Sequence, residues 1–150
     1  MCSLVTNQIK PHFICVTEHF LFKQSLSFVN WENYSLGCSY LCTLFQSGGV
    51  CIFIRNDVSY IPLDISEHCD EKIIELYAVQ VNTKFSHFIT ICIYRSSSGN
   101  FYQFLTLLDF TWKHLYSPWT EFLICGDINI NYLMDSYRKK QLSSLLSTYN

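Results

Sequence analysis

A chain of 150 residues is long enough for one domain and too short for two, so a single core is expected. Hydrophobic residues make up 49%, aromatic residues 17% and charged residues only 15%, which excludes intrinsic disorder. The 10 basic and 12 acidic residues give a formal charge of −2 and so exclude a bulk positive field for nucleic acid; any phosphate chemistry needs a local site or a metal.

Lys10, His12, Glu18 and His19 interrupt the first 22 residues, which therefore do not read as a secretory leader. No apolar run approaches the ~20 residues needed to cross a bilayer. An intracellular chain without a membrane segment is expected, with no stable protein partner inferable. Short apolar, β-branched runs predict strands at residues 13–17, 50–55, 58–63, 73–81, 88–94 and 122–125. Turn residues predict breaks at 30–37, 46–49, 96–100 and 117–118. Val50-Cys51-Ile52-Phe53-Ile54 and Ile89-Thr90-Ile91-Cys92-Ile93 barely alternate, so both faces of these strands should be covered. Phe101, Phe104, Leu105, Leu108, Trp112 and Leu115 recur at helical spacing and predict a helix over 101–116, with Asn100 as its cap. A second helix is predicted over 136–148, with Leu142, Leu145, Leu146 and Tyr149 on one side; Arg138, Lys139 and Lys140 read as a solvated face. Strands joined by both hairpin-length gaps and a long helix imply an α/β fold with a mixed sheet.

The eight cysteines show no zinc spacing. Cys15, Cys51, Cys92 and Cys125 sit inside apolar runs and read as reduced core residues, leaving Cys38 and Cys42 as the one pair to watch.

Three apolar runs end abruptly in polar residues. Ile14-Cys15-Val16-Thr17 leads into Glu18 and His19, Ile91-Cys92-Ile93 into Tyr94 and Arg95, and Phe122-Leu123-Ile124-Cys125 into Gly126-Asp127-Ile128-Asn129. Strand ends of this kind gather at one edge of an α/β sheet, where ligands bind. Period-two alternation places Tyr94 on the face of Thr90 and Cys92, opposite Ile89, Ile91 and Ile93. Glu18, Asp127 and Asn129 offer hard oxygen ligands suited to Mg²⁺. Tyr94 and Arg95 add donors for a phosphate. Taken singly, each has an ordinary reading as a solvated strand end, an edge anchor or an Asx turn.

Four stretches in order carry a resemblance: Ile14-Cys15-Val16-Thr17-Glu18-His19, Gly48-Gly49-Val50-Cys51-Ile52-Phe53-Ile54-Arg55, Ile93-Tyr94-Arg95-Ser96-Ser97-Ser98-Gly99-Asn100-Phe101, and Phe122-Leu123-Ile124-Cys125-Gly126-Asp127-Ile128-Asn129-Ile130. This order resembles the endonuclease/exonuclease/phosphatase (DNase I-like) family, in particular the endonuclease domains of insect non-LTR (LINE-type) retrotransposons. The resemblance implies a four-layer α/β/β/α sandwich with two mixed sheets face to face. It implies Glu18 as ligand of Mg²⁺ (or Mn²⁺), Tyr94 as donor to the scissile phosphate, Asp127 orienting or deprotonating the attacking water, and Asn129 holding the phosphate or a metal-bound water. Arg95 is a candidate substrate contact. DNA is the expected partner of the complete domain.

The family pattern is matched only in part. Its Asn-bearing first strand has no counterpart before Glu18, and Asn7 falls where a helix is expected. Its later Asp and Ser-Asp-His motifs are not matched either; His12, His19, His68, His87 and His114 all precede Asp127. Residues 1–150 are therefore expected to form a single, incomplete domain, a fragment of a metal-dependent phosphodiesterase with weak or no activity of its own. The alternative is a non-catalytic remnant or binding module that keeps part of the fold.

Overall fold

Strands that are apolar on both sides must be covered on both sides, and the fold is organised around that demand. The computed structural model describes residues 10–20, 25, 29–40, 48–82 and 87–149. In chain order these form β1 (Phe13–Thr17), β2 (Tyr34–Tyr40), β3 (Val50–Arg55), β4 (Tyr60–Leu63), a 3-10 turn (Ser66–His68), β5 (Glu75–Asn82), β6 (His87–Tyr94), α1 (Phe101–Leu115), β7 (Glu121–Asp127) and α2 (Tyr137–Ser147). Asn7 and Cys42 lie outside the described residues.

One sheet has three strands in the order β1-β3-β2, and the other has four in the order β4-β5-β6-β7. The first is antiparallel throughout. In the second, β7 runs parallel to β6 across the α1 crossover, while the other pairs are antiparallel. The expected α/β sandwich of two sheets is thus present, its described strands forming an antiparallel three-stranded sheet and a mixed four-stranded one. The chain passes from β6 to β7 through α1, the kind of crossover that parallel pairing requires.

The strand β2 occupies ground that the turn residues marked as a break. Its Tyr34 and Leu36 side chains support a strand, and register shifts at the bulge between Leu36 and Cys38. Gly37 sits at that bulge because any Cβ there would collide with the Ile54 side chain of β3. At the edge of its sheet, β2 tolerates polar residues that a central strand would not.

Between the sheets, Val50, Ile52 and Ile54 of β3 meet Val79, Val81, Cys92 and Tyr94 of the facing sheet. On its other side the four-stranded sheet buries Leu76, Ala78, Ile89, Ile91 and Ile93 against Phe101, Phe104, Leu108 and Trp112 of α1 and Leu142 of α2. The outer face of β3 packs Cys51 and Phe53 against Tyr34, with Val29 and Trp31 over them. Each fully buried aliphatic side chain contributes ~1.5–3 kcal/mol, so β3 and β6, covered on both faces, are the strands that hold the layers together.

The helix signals act as read. The Asn100 side chain accepts from the Tyr102 and Gln103 amides, and Ser136 accepts from the Lys139 amide. Lys140 pairs with Asp135 at 2.9 Å, and Arg138 lies over the Phe101 ring.

The cysteine reading needs correction. Cys15 of β1 and Cys125 of β7 form a disulfide with Cα atoms 6.6 Å apart. Both project into the space between the sheets, where facing strands approach within bridging distance; a sequence separation of 110 gives no hint of this. Cys51, Cys69 and Cys92 are free thiols. Nothing is described of the Cys38 side chain.

Gly126 sits opposite Ile93 in the parallel ladder with φ 118°, and a Cβ there would run into the Ile93 carbonyl. Gly126→Ala is therefore expected to destabilise the chain by ~2 kcal/mol or more, read as a lower midpoint in urea denaturation.

Candidate functional site

The parallel register of β6 and β7 sets Tyr94 beside Asp127 at the C-terminal ends of both strands. From the facing sheet, the chain leaves β1 through Glu18, whose φ of 52° turns it out of the extended conformation. There the Tyr94 hydroxyl donates to Glu18 Oε1 at 2.7 Å. The three expected residues thus converge at one edge of the sandwich. Glu18 and Asp127 are exposed, and Tyr94 is buried among the inner-face residues, as its alternation with Thr90 and Cys92 requires.

Burial pushes the Tyr94 phenol well above its ordinary value. The hydrogen bond to Glu18 and the charges of Glu18, Glu75 and Asp127 push it the same way. Tyr94 therefore remains a protonated donor throughout the neutral range.

Asn129 closes the Gly-Asp-Ile-Asn segment. Its amide donates to Asp127 Oδ1 at 2.8 Å, an Asx turn, and its side-chain nitrogen donates to the Arg95 carbonyl at 2.7 Å. Its φ of 50° is a left-handed conformation that Asn tolerates better than most residues. One carboxylate oxygen of Asp127 is thus held by the turn, and the Asn129 side chain ties the turn to β6.

Arg95 does not stand where a substrate contact would. Its side chain is 0% exposed. Nε donates to the Ile128 carbonyl at 2.7 Å and Nη2 to the Asn129 carbonyl at 2.9 Å, while Nη1 donates to the Ser96 and Gly99 carbonyls at 3.0 and 3.3 Å. The Phe101 and Phe104 rings lie beneath the guanidinium. Burial, with Arg138 nearby, pulls its pKa below the ordinary guanidinium value. The expected phosphate donor is instead a structural clamp, because the loops after β6 and β7 fold over it and offer carbonyls that need donors.

Glu75 escaped sequence reasoning. It is 2% exposed, pairs in register with Tyr94, and accepts from the Gly49 amide at 2.5 Å. The signal available was an acid inside the apolar run Ile73-Ile74-Glu75-Leu76, which buries only if satisfied. Glu18, Glu75 and Asp127 do not close into a three-ligand cluster among the described residues.

No protein-family profile matches the chain, and no curated protein matches it. Solved structures do. The endonuclease domain of TRAS1, a telomere-specific non-LTR retrotransposon, superposes with a TM-score of 0.74 at 12% identity over 98% of this chain. A humanized D. rerio TDP2 carrying 14 mutations superposes at 0.61 and 12% identity over 94% of it. The chain spans 64% of the first structure and 60% of the second. The fold is DNase I-like, an α/β sandwich of two sheets with helices packed outside the four-stranded one.

Arg95→Met keeps the apolar stem of the side chain but removes every donor from the Ile128, Asn129, Ser96 and Gly99 carbonyls, and is expected to cost ~3 kcal/mol or more in chemical denaturation. Arg95→Lys should restore only a minor part, since an ammonium cannot reproduce the fork.

Proposed function

We propose that the edge cluster of Glu18, Tyr94, Asp127 and Asn129 is the site of a divalent-metal-dependent phosphodiesterase that hydrolyses DNA, and that this chain carries part of one such domain. The observation that carries the reading is the 2.7 Å bond from the Tyr94 hydroxyl to Glu18, made where Tyr94 lies beside Asp127. It joins two acids and a fixed donor from separate sheets at one exposed edge. The DNase I-like fold and the likeness to the TRAS1 endonuclease domain support a nuclease over other uses of the same fold.

Glu18, with Asp127 close by, would hold Mg²⁺ or Mn²⁺, which when bound supplies charge stabilisation at the phosphoryl oxygens. Tyr94, kept protonated, has one donor, which would pass from Glu18 to the phosphate when substrate and metal are bound. Asp127 orients a water and takes its proton, and the Asx turn to Asn129 fixes the direction from which it does so. Asn129 Oδ1, with its amide nitrogen committed to Arg95, faces the role of acceptor.

This sequence contains no His after Asp127, so the resemblance assigns no partner for the leaving oxygen within it. Loss of a general acid or base typically costs ~10²–10⁴ in rate. Supercoiled-plasmid nicking with Mg²⁺ against EDTA, on this chain and on one extended beyond Asn150, tests the reading. Nicking by the extended chain is expected, slower by that factor in this chain, and reduced at least ~10²-fold by Glu18→Ala or Asp127→Ala. Nicking by the extended chain that resists EDTA or ignores Asp127→Ala overturns it.

A further inference from the structure

The far end of α1 holds a second cluster of metal-binding side chains, unrelated to the strand-end acids. His68 closes the 3-10 turn and is wholly buried. Its ring stacks on Phe110 with centroids 4.6 Å apart and faces the His114 ring at 5.0 Å. Both ring nitrogens are buried without a hydrogen-bond partner. A buried imidazole normally satisfies at least one nitrogen, and neither is satisfied here.

The surroundings supply a different kind of partner. Glu67 Oε1 lies 3.5 Å from His68 Nε2. That separation fails as a hydrogen bond, yet two ligand atoms bound to one tetrahedral ion at ~2.0–2.2 Å stand ~3.3–3.5 Å apart. A ligand atom each of Glu67, His68 and His114 lies within 4.8 Å of the other two. Glu67 and His114 are exposed, so modest rotation brings them onto a common centre.

We propose that Glu67, His68 and His114 form a binding site for Zn²⁺, with two imidazoles, one carboxylate and a fourth position left to water. Two nitrogen donors select a borderline ion over Mg²⁺, whose preference is for oxygen. The ion would pin the last turn of α1 to the 3-10 turn. From Asn100, beside the strand-end cluster, α1 rises 1.5 Å per residue, which puts His114 roughly 20 Å from that cluster. The zinc site is therefore independent of the proposed nuclease reaction. Among the described residues the other candidate metal cluster is Cys15, Cys92 and Cys125, but two of its sulfurs are joined as a disulfide.

The test is titration of the metal-free chain with Zn²⁺ by calorimetry, and with Co²⁺ as a spectroscopic stand-in whose visible bands report four-coordinate geometry. One equivalent of Zn²⁺ is expected to bind and to raise the melting temperature, with no competition from Mg²⁺. Because His68 is wholly buried and its replacement can unfold the chain, the decisive variants are His114→Ala and Glu67→Gln, at exposed positions. His114→Ala should weaken Zn²⁺ binding ~10²-fold or more and abolish the Co²⁺ bands, and Glu67→Gln should weaken binding at least ~10-fold. Failure to take up Zn²⁺, or uptake undiminished by His114→Ala, overturns the proposal; so does uptake abolished by Cys92→Ser but not by His114→Ala.

Discussion

The buried guanidinium of Arg95 is the interaction on which the site edge depends. Two strands that end side by side leave carbonyls in the loops beyond them, and those carbonyls need donors once the loops close over the sheet. Arg95 answers four of them, two in the loop after β6 and two after β7. Asn129 returns a bond to the Arg95 carbonyl, and the Arg95 amide donates to the Asp127 carbonyl at 2.9 Å. The two strand ends are thereby held in both directions. Asp127 owes its position to a residue that never reaches solvent.

Burial on both faces of β3 and β6 explains why the rest of the edge can be trusted to one clamp. Neither strand can slip by one residue without turning an apolar row toward the wrong layer. Register therefore transmits from the core to the strand ends, and Tyr94 arrives at Glu18 because Cys92 and Thr90 are already seated between the sheets. The disulfide between Cys15 and Cys125 joins those layers two or three residues behind Glu18 and Asp127. Burial raises the remaining Cys92 thiol to about 12, so next to that bridge it behaves as a small apolar residue rather than a nucleophile.

Much of this was legible in the sequence because it is written in local pattern. β1 and β3 fall on the predicted residues, and α1 and α2 differ from the predicted helices only at their capping positions. Convergence of Glu18, Tyr94 and Asp127 followed from strand ends, which share an edge whenever strands share a stack. What escaped depends on contacts between distant segments. Tyr-Arg at a strand end reads as a surface anchor, and only the loops folding over it make Arg95 internal. β2 was hidden by Ser and Gly, which an edge strand with a bulge can carry. The Cys15–Cys125 pair, the buried Glu75 and the meeting of His68 with His114 leave no spacing to read, since each is made by one layer lying against another.

The backbone supplies the last constraint. Glu18 and Asn129 both have positive φ, as do Gly48, Gly49 and Gly126 close to the same edge. A non-glycine residue held there costs of order 1 kcal/mol or more, and persists only where the surroundings fix it. Two of the expected site residues thus carry strain that the clamp and the sandwich must offset. Such a design asks little of the other side chains: apolar residues of suitable size inside, glycine where backbones touch, and a few polar groups at the strand ends. That is why a fold matched at a TM-score of 0.74 can retain only 12% identity.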